Sequence, residues 1–144
     1  MDQPTISIHK NGKWYWGEVE MFRRNIIKIL ARNIVRENDG SYFIAMGQEK
    51  QALIVEDVPF YATGIHVNEE GRLVLTFHDL QEMVLDKTLQ LFRKGNVPYI
   101  TFRWPADTRL SRGLYWKLSE YFVLPEDPEQ QEPVYIVPPE KAQL

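Results

Sequence analysis

The chain contains no cysteine. That absence removes disulfides, thiolate nucleophiles and thiolate metal ligands together, and it fits a reducing compartment. Histidine is scarce: His9, His66 and His78 are the three present, with no i, i+4 pair and no H-E-x-x-H spacing, so the spacing supports no metal site. Long apolar runs are missing too. The longest, "ALIV" and "YFIAM", fall far short of the roughly 20 residues that a membrane helix needs. The opening "MDQPTISIHK" has no apolar stretch behind a basic one, so no secretory signal is expected and a cytoplasmic location is. Neither sign of charge dominates. With 17 Lys and Arg against 20 Asp and Glu, the net charge of -3 exerts no general pull toward nucleic acid. There is no glycine-rich phosphate loop and no serine elbow, and no cofactor is expected. What remains is an ordinary globular composition, 44% hydrophobic and 26% charged over 144 residues, enough for one domain or two small halves sharing a core.

The hydrophobic pattern favours two halves. "TISIHKNGKWYW" alternates Ile6 and Ile8 with polar neighbours, turns at Asn11-Gly12 and resumes through Trp14, Tyr15 and Trp16, a hairpin signal. From about Glu18 to Val35 the period becomes helical, with Phe22, Ile26, Ile29, Leu30 and Ile34 on one stripe. Asn38-Asp39-Gly40 ends that helix, and "SYFIAM" and "QALIVED" follow as strands. After Pro59, "FYATGIHV", "RLVLTFH", "EMVLD", "LQLF" and "PYITFRW" continue as short strands. A second helix is expected in "TRLSRGLYWKLSEYF", with Leu110, Leu114, Leu118 and Tyr121 on its stripe and Asp107 or Thr108 capping it. The fold class this implies is α+β, two similar halves, each of antiparallel strands with one packed helix: an N-terminal half over 1–58, a C-terminal half over 59–124, and a Pro- and acid-rich tail over 125–144 that docks through "VYIV" as an edge strand.

"GKWYW", Arg23, "NDGSY", "VEDVPF", "VPYITFR" and "SRGLYWKL" occur here in the order in which a bacterial family of unknown function carries WYH-x-G-x-P-I, DG-x-Y, VEDAPF, PY-x-x-VR and a final RAVYYEL helix. The chain resembles that family from Ile6 to Phe122, most specifically in "VEDVPF". The resemblance implies two similar α+β halves, no established activity, and a ligand-binding or signalling role. Trp16 stands where the family often has histidine, and Glu20-Met21 where it has Pro-Ile, so histidine chemistry at the first hairpin is not expected.

The candidate ligand-binding residues are Glu56, Asp57, Trp14, Trp16, Arg23 and Arg103. Glu56 and Asp57 follow a greasy strand, and on a continuing strand they would point to opposite faces, which argues against a paired acid and base. One acid is expected to hold backbone amides or an arginine such as Arg23 or Arg103, the other to border a cleft. Three aromatic residues in a row at 14–16 cannot all be core, so at least one ring is expected at the surface. Arg24, Lys28, Arg32 and Arg36 recur at i+4 on the predicted helix and form a candidate partner-binding stripe, opposite the apolar one, for phosphates or an acidic protein partner. Two classes stay open. One is a non-enzymatic module for a small ligand or acidic partner; the other is a small metal-dependent hydrolase centred on the mid-chain carboxylates and the histidines.

Overall fold

The computed structural model describes residues 4–142. The chain is α+β and divides into two compact units. The first runs through Pro59 and takes in His78–Gln81; the second takes Phe60–Phe77 and everything from Glu82 onward. Each has one sheet, of six strands in the first and eight in the second, and one α-helix.

In the first unit the strands β1 (Ile6–Ile8), β2 (Trp14–Trp16) and β3 (Val19–Glu20) precede helix α1 (Arg24–Arg32), and β4 (Ile34–Arg36), β5 (Tyr42–Met46) and β6 (Glu49–Val55) follow it. The spatial order is β3-β2-β1-β6-β5-β4. All pairings are antiparallel except β1 with β6, where Ile6 sits beside Leu53 and Ile8 beside Val55. Side chains paired across a sheet share a face, so Ile6, Ile8, Trp14 and Leu53 gather on one side, and all four are buried. Trp16 lies on that same face as the partner of Ile6, yet it is 54% exposed.

The predicted helix over 18–35 is shorter than its apolar period suggests. Gly17, at φ 62°, opens a two-residue turn that pairs Trp16 with Val19 and diverts the chain into β3. A positive φ at the first central residue alone is what a II′ hairpin turn needs, and glycine supplies it without strain. At the far end Asn33 closes the helix, its side-chain amide donating to the Ile29 carbonyl at 2.6 Å, and the β-branched pair Ile34-Val35 goes into β4. The buried helical residues are Ile27 and Ala31. Phe22, Ile26 and Ile29, read as the core-facing stripe, are exposed. Arg36, read as the last member of the basic stripe, is on β4 rather than on the helix.

The second unit contains β7 (Phe60–Val67), β8 (Leu73–Phe77), β9 (Glu82–Val84), β10 (Leu89–Lys94), β11 (Val97–Ile100), β12 (Thr108–Leu110), helix α2 (Arg112–Leu118) with a 3₁₀ turn at Ser119–Tyr121, β13 (Phe122–Val123) and β14 (Val134–Ile136). Their order is β13-β14-β10-β11-β12-β7-β8-β9, with β12 parallel to β7. "VYIV" therefore contributes an inner strand, β14, hydrogen-bonded to both β10 and β13, where an edge strand was expected. Phe60 is fully buried, edge-on to Phe77 and Phe102 and stacked with Trp104 at 6.0 Å.

Asp107 does not cap α2. Ser111 does, its hydroxyl accepting from the Leu114 amide at 3.2 Å. Asp107 is buried and folds the preceding loop: its carboxylate accepts the amides of Phe102, Arg103 and Trp104 at 2.8–2.9 Å and the Thr108 hydroxyl at 3.0 Å. Three amides converging on one carboxylate satisfy a charge that burial would otherwise make costly. In the same loop Ala106 sits at φ 52°, a conformation that costs a non-glycine residue energy, with its amide donating to the Thr101 hydroxyl at 3.0 Å.

Candidate functional site

The site with the most sequence-expected residues is a groove in the first unit. Trp16 on β2, Val19 on β3, Met21 and Phe22 on the extended approach to α1, and Ile26 in its first turn surround a cavity of about 420 Å³, with Arg23 and Glu20 also lining it. Each wall has a local cause. The tight turn at Gly17 folds β3 back beside Trp16, and the amide of Met21 donates to the Trp14 carbonyl at 2.8 Å, which pins the approach to α1 against the hairpin. No side chain caps α1, since Arg23 occupies its N-cap position. The chain therefore enters the helix extended, with Phe22 76% exposed. Solvating a Phe, a Trp, a Val and an Ile side by side is unfavourable, and contiguous apolar surface of this kind marks binding sites more often than isolated exposed residues do.

The groove is apolar within and has Arg23 as its cation. Arg23, Arg24 and Arg32 are exposed and Lys28 is half-buried. Among the described lining residues the one acid, Glu20, has Lys13 as its counter-ion at 3.7 Å. His78, from the segment that belongs to this unit, is held below the ordinary imidazole range, first by burial and then by the positive charge of Arg24. Next to it Asp79 is pushed above the carboxylate range by burial, although its side chain accepts from the Gln81 amide and side chain at 2.9 and 3.0 Å.

The expected site residues thus separate. Trp16 and Arg23 meet in the groove, whereas Arg24, Lys28 and Arg32, on α1, do not line it, their i+4 stripe falling on a different face of the helix from Ile26. Trp14 is core, 2% exposed, and unable to stack on a ligand. Tyr15, between the two tryptophans, stacks on His9 at 4.1 Å. Glu56 and Asp57 lie in the bend after β6 and do not line the groove. Glu56 is exposed and accepts the Lys10 amide at 3.1 Å, which ties the β1–β2 loop to the end of β6; Asp57 is half-buried. Arg103 belongs to the second unit, its guanidinium 4.5 Å from the centre of the Trp104 ring. Among the described residues, no group of three or more His, Asp or Glu is arranged to hold a metal ion, and no helix is long and apolar enough to cross a membrane. Val19, Met21, Phe22 and Ile26 were not singled out as site residues by sequence. The "WGEV" turn and the missing cap before "RNII" are the signals that point to them.

The chain is thus a two-unit α+β fold. No family profile and no curated protein matches the chain. Two crystal structures share its fold. A DUF1285 family protein from Shewanella baltica OS155 superposes with a TM-score of 0.66 at 17% identity, over 81% of this chain and 91% of the other. A DUF1285 family protein from Silicibacter pomeroyi DSS-3 superposes with a TM-score of 0.70 at 18% identity, over 86% of this chain and 72% of the other. Both neighbours are bacterial proteins of unknown function, in line with the uncharacterised family that the motifs resemble.

Proposed function

We propose that the protein is a non-enzymatic, signalling-type binding module whose first unit captures an amphipathic, acidic segment of a partner protein. One observation supports this reading: the apolar groove of Trp16, Val19, Phe22 and Ile26 is open to solvent and has the exposed Arg23 in its lining. A helix laid in such a groove buries its apolar anchors and can turn a carboxylate toward Arg23. The acid in the described lining, Glu20, already has Lys13 as its counter-ion, so Arg23 favours an acidic amphipathic segment over a basic one.

The test is a titration with a designed helical peptide that has leucines along one face and glutamates along the other. The glutamate peptide should bind saturably and more weakly as salt rises. Phe22→Ser should abolish binding at unchanged melting temperature, and Arg23→Glu should weaken it about tenfold or more, a lost charge-assisted contact being worth about 1 kcal/mol or more. Equal affinity for a peptide with lysines in place of glutamates contradicts the reading. So does binding to anionic vesicles with no binding to the peptide.

A further inference from the structure

We infer that the second unit holds a separate site for a small phosphorylated ligand with a planar ring, the class of the nucleoside monophosphates. The site is a cavity of about 500 Å³ lined by Arg93 on β10, Asn96 in the β10–β11 turn, Arg109 on β12, and Arg112, Tyr115 and Trp116 on α2. Its size lies within the range of small-molecule pockets. Three guanidiniums converge on it, and none of its described lining residues is acidic. Arginine stays charged at any pH the protein meets, so the pocket is permanently cationic, and each guanidinium presents five N–H donors in a fork that matches phosphate oxygens.

Arg93 is already positioned. It donates to the Tyr115 hydroxyl at 2.6 Å, and its guanidinium lies 5.7 Å from the centre of the Tyr115 ring, so a side chain on α2 fixes this strand arginine in the cavity wall. Tyr115 is in turn wedged edge-to-face against Trp116 at 5.5 Å and Phe122 at 5.4 Å. Trp116 is a large ring left 62% exposed on the pocket wall. A bare anion would engage the arginines and leave that ring wet, whereas a ligand with a flat ring stacks on it. Asn96 adds an amide that both donates and accepts, the kind of group that reads a polar ring edge. The sequence gives little sign of this site, because Arg93 on β10 is remote from Arg109 and Arg112, and those two neighbours sit on different elements, β12 and α2.

This site and the first-unit groove share no residue, so either can fail alone. The experiment is calorimetric titration of the full chain with adenosine, guanosine, cytidine and uridine monophosphates, with inorganic phosphate and free nucleosides alongside. At least one monophosphate should bind saturably and quench tryptophan fluorescence. Arg112→Gln and Trp116→Ala replace exposed side chains, so both variants should melt like the parent and bind about tenfold or more weakly, as the loss of one charge-assisted bond or one stacking partner requires. The inference is overturned if no monophosphate binds, if both variants bind as tightly as the parent, or if phosphate alone or nucleoside alone binds as tightly as the monophosphate.

Discussion

The two helices begin in opposite ways. Helix α2 is entered through a loop locked by a buried aspartate and then capped by Ser111, and its Leu114 and Leu118 are buried. Helix α1 is entered through an extended Phe22-Arg23 step with no side-chain cap, and it leaves Phe22, Ile26 and Ile29 in solvent. Caps and core burial are the usual sources of helix stability. Their weakness at α1 makes sense if its entrance is kept apolar and open for a partner. The wall that α2 presents to its own pocket is cationic and aromatic instead. The same supersecondary vocabulary thus yields two surfaces of different chemistry.

The comparison can be broken most forcefully at the acids. Asp107→Ala strands three amides under the loop before α2 and should cost about 3 kcal/mol or more, read as a lowered denaturation midpoint. Glu56→Ala, which frees one exposed amide in the first unit, should cost about 1 kcal/mol or less. Equal losses would show that the exposed acid matters as much as the buried one. At the caps, Ser111→Ala should destabilise by about 1 kcal/mol, whereas Arg23→Ser gives α1 a cap it lacks and should stabilise by up to about 1 kcal/mol while weakening peptide capture. Loss of stability in Arg23→Ser would mean that the open entrance is a structural need rather than a functional one.

The smallest effect concerns pH. His78 has its folded-state pKa below the unfolded imidazole value of about 6.5, so folding favours the neutral ring. Its contribution is complete above that value and is lost as pH falls below it. Lys13, Glu20, Arg24 and Asp79 are the charges that act on it. Thermal melts of His78→Gln should therefore show a shallower loss of stability on acidification than the parent, and an identical slope would remove His78 as the cause.

Much of the architecture was legible. Alternation identified the hairpin at Ile6–Trp16 and the run through Leu53, and the 3.6 period located both helices. The ends of the helices were not legible, since Gly17 and Ser111 act through turn and cap geometry that competes with the apolar period over a few residues. Asp107 was noticed but given the wrong task, because an acid just before a helical pattern looks like a cap whether it binds the helix amides or those of the loop behind it. Of the candidate site, Trp16 and Arg23 were legible from an aromatic cluster beside a basic helix. Phe22 and Ile26 were read as core, since a periodic stripe does not say which side of a helix the chain will cover. The association of His78–Gln81 with the first unit depends on contacts remote in sequence, and no local pattern encodes it.

The most direct measurement of the central claim is amide NMR of the labelled full chain titrated with the leucine–glutamate peptide. The account predicts that shift changes concentrate at Trp16, Val19, Phe22 and the first two turns of α1, with the Trp16 indole among the largest. Changes confined to the second unit, or none at saturating peptide, would contradict it.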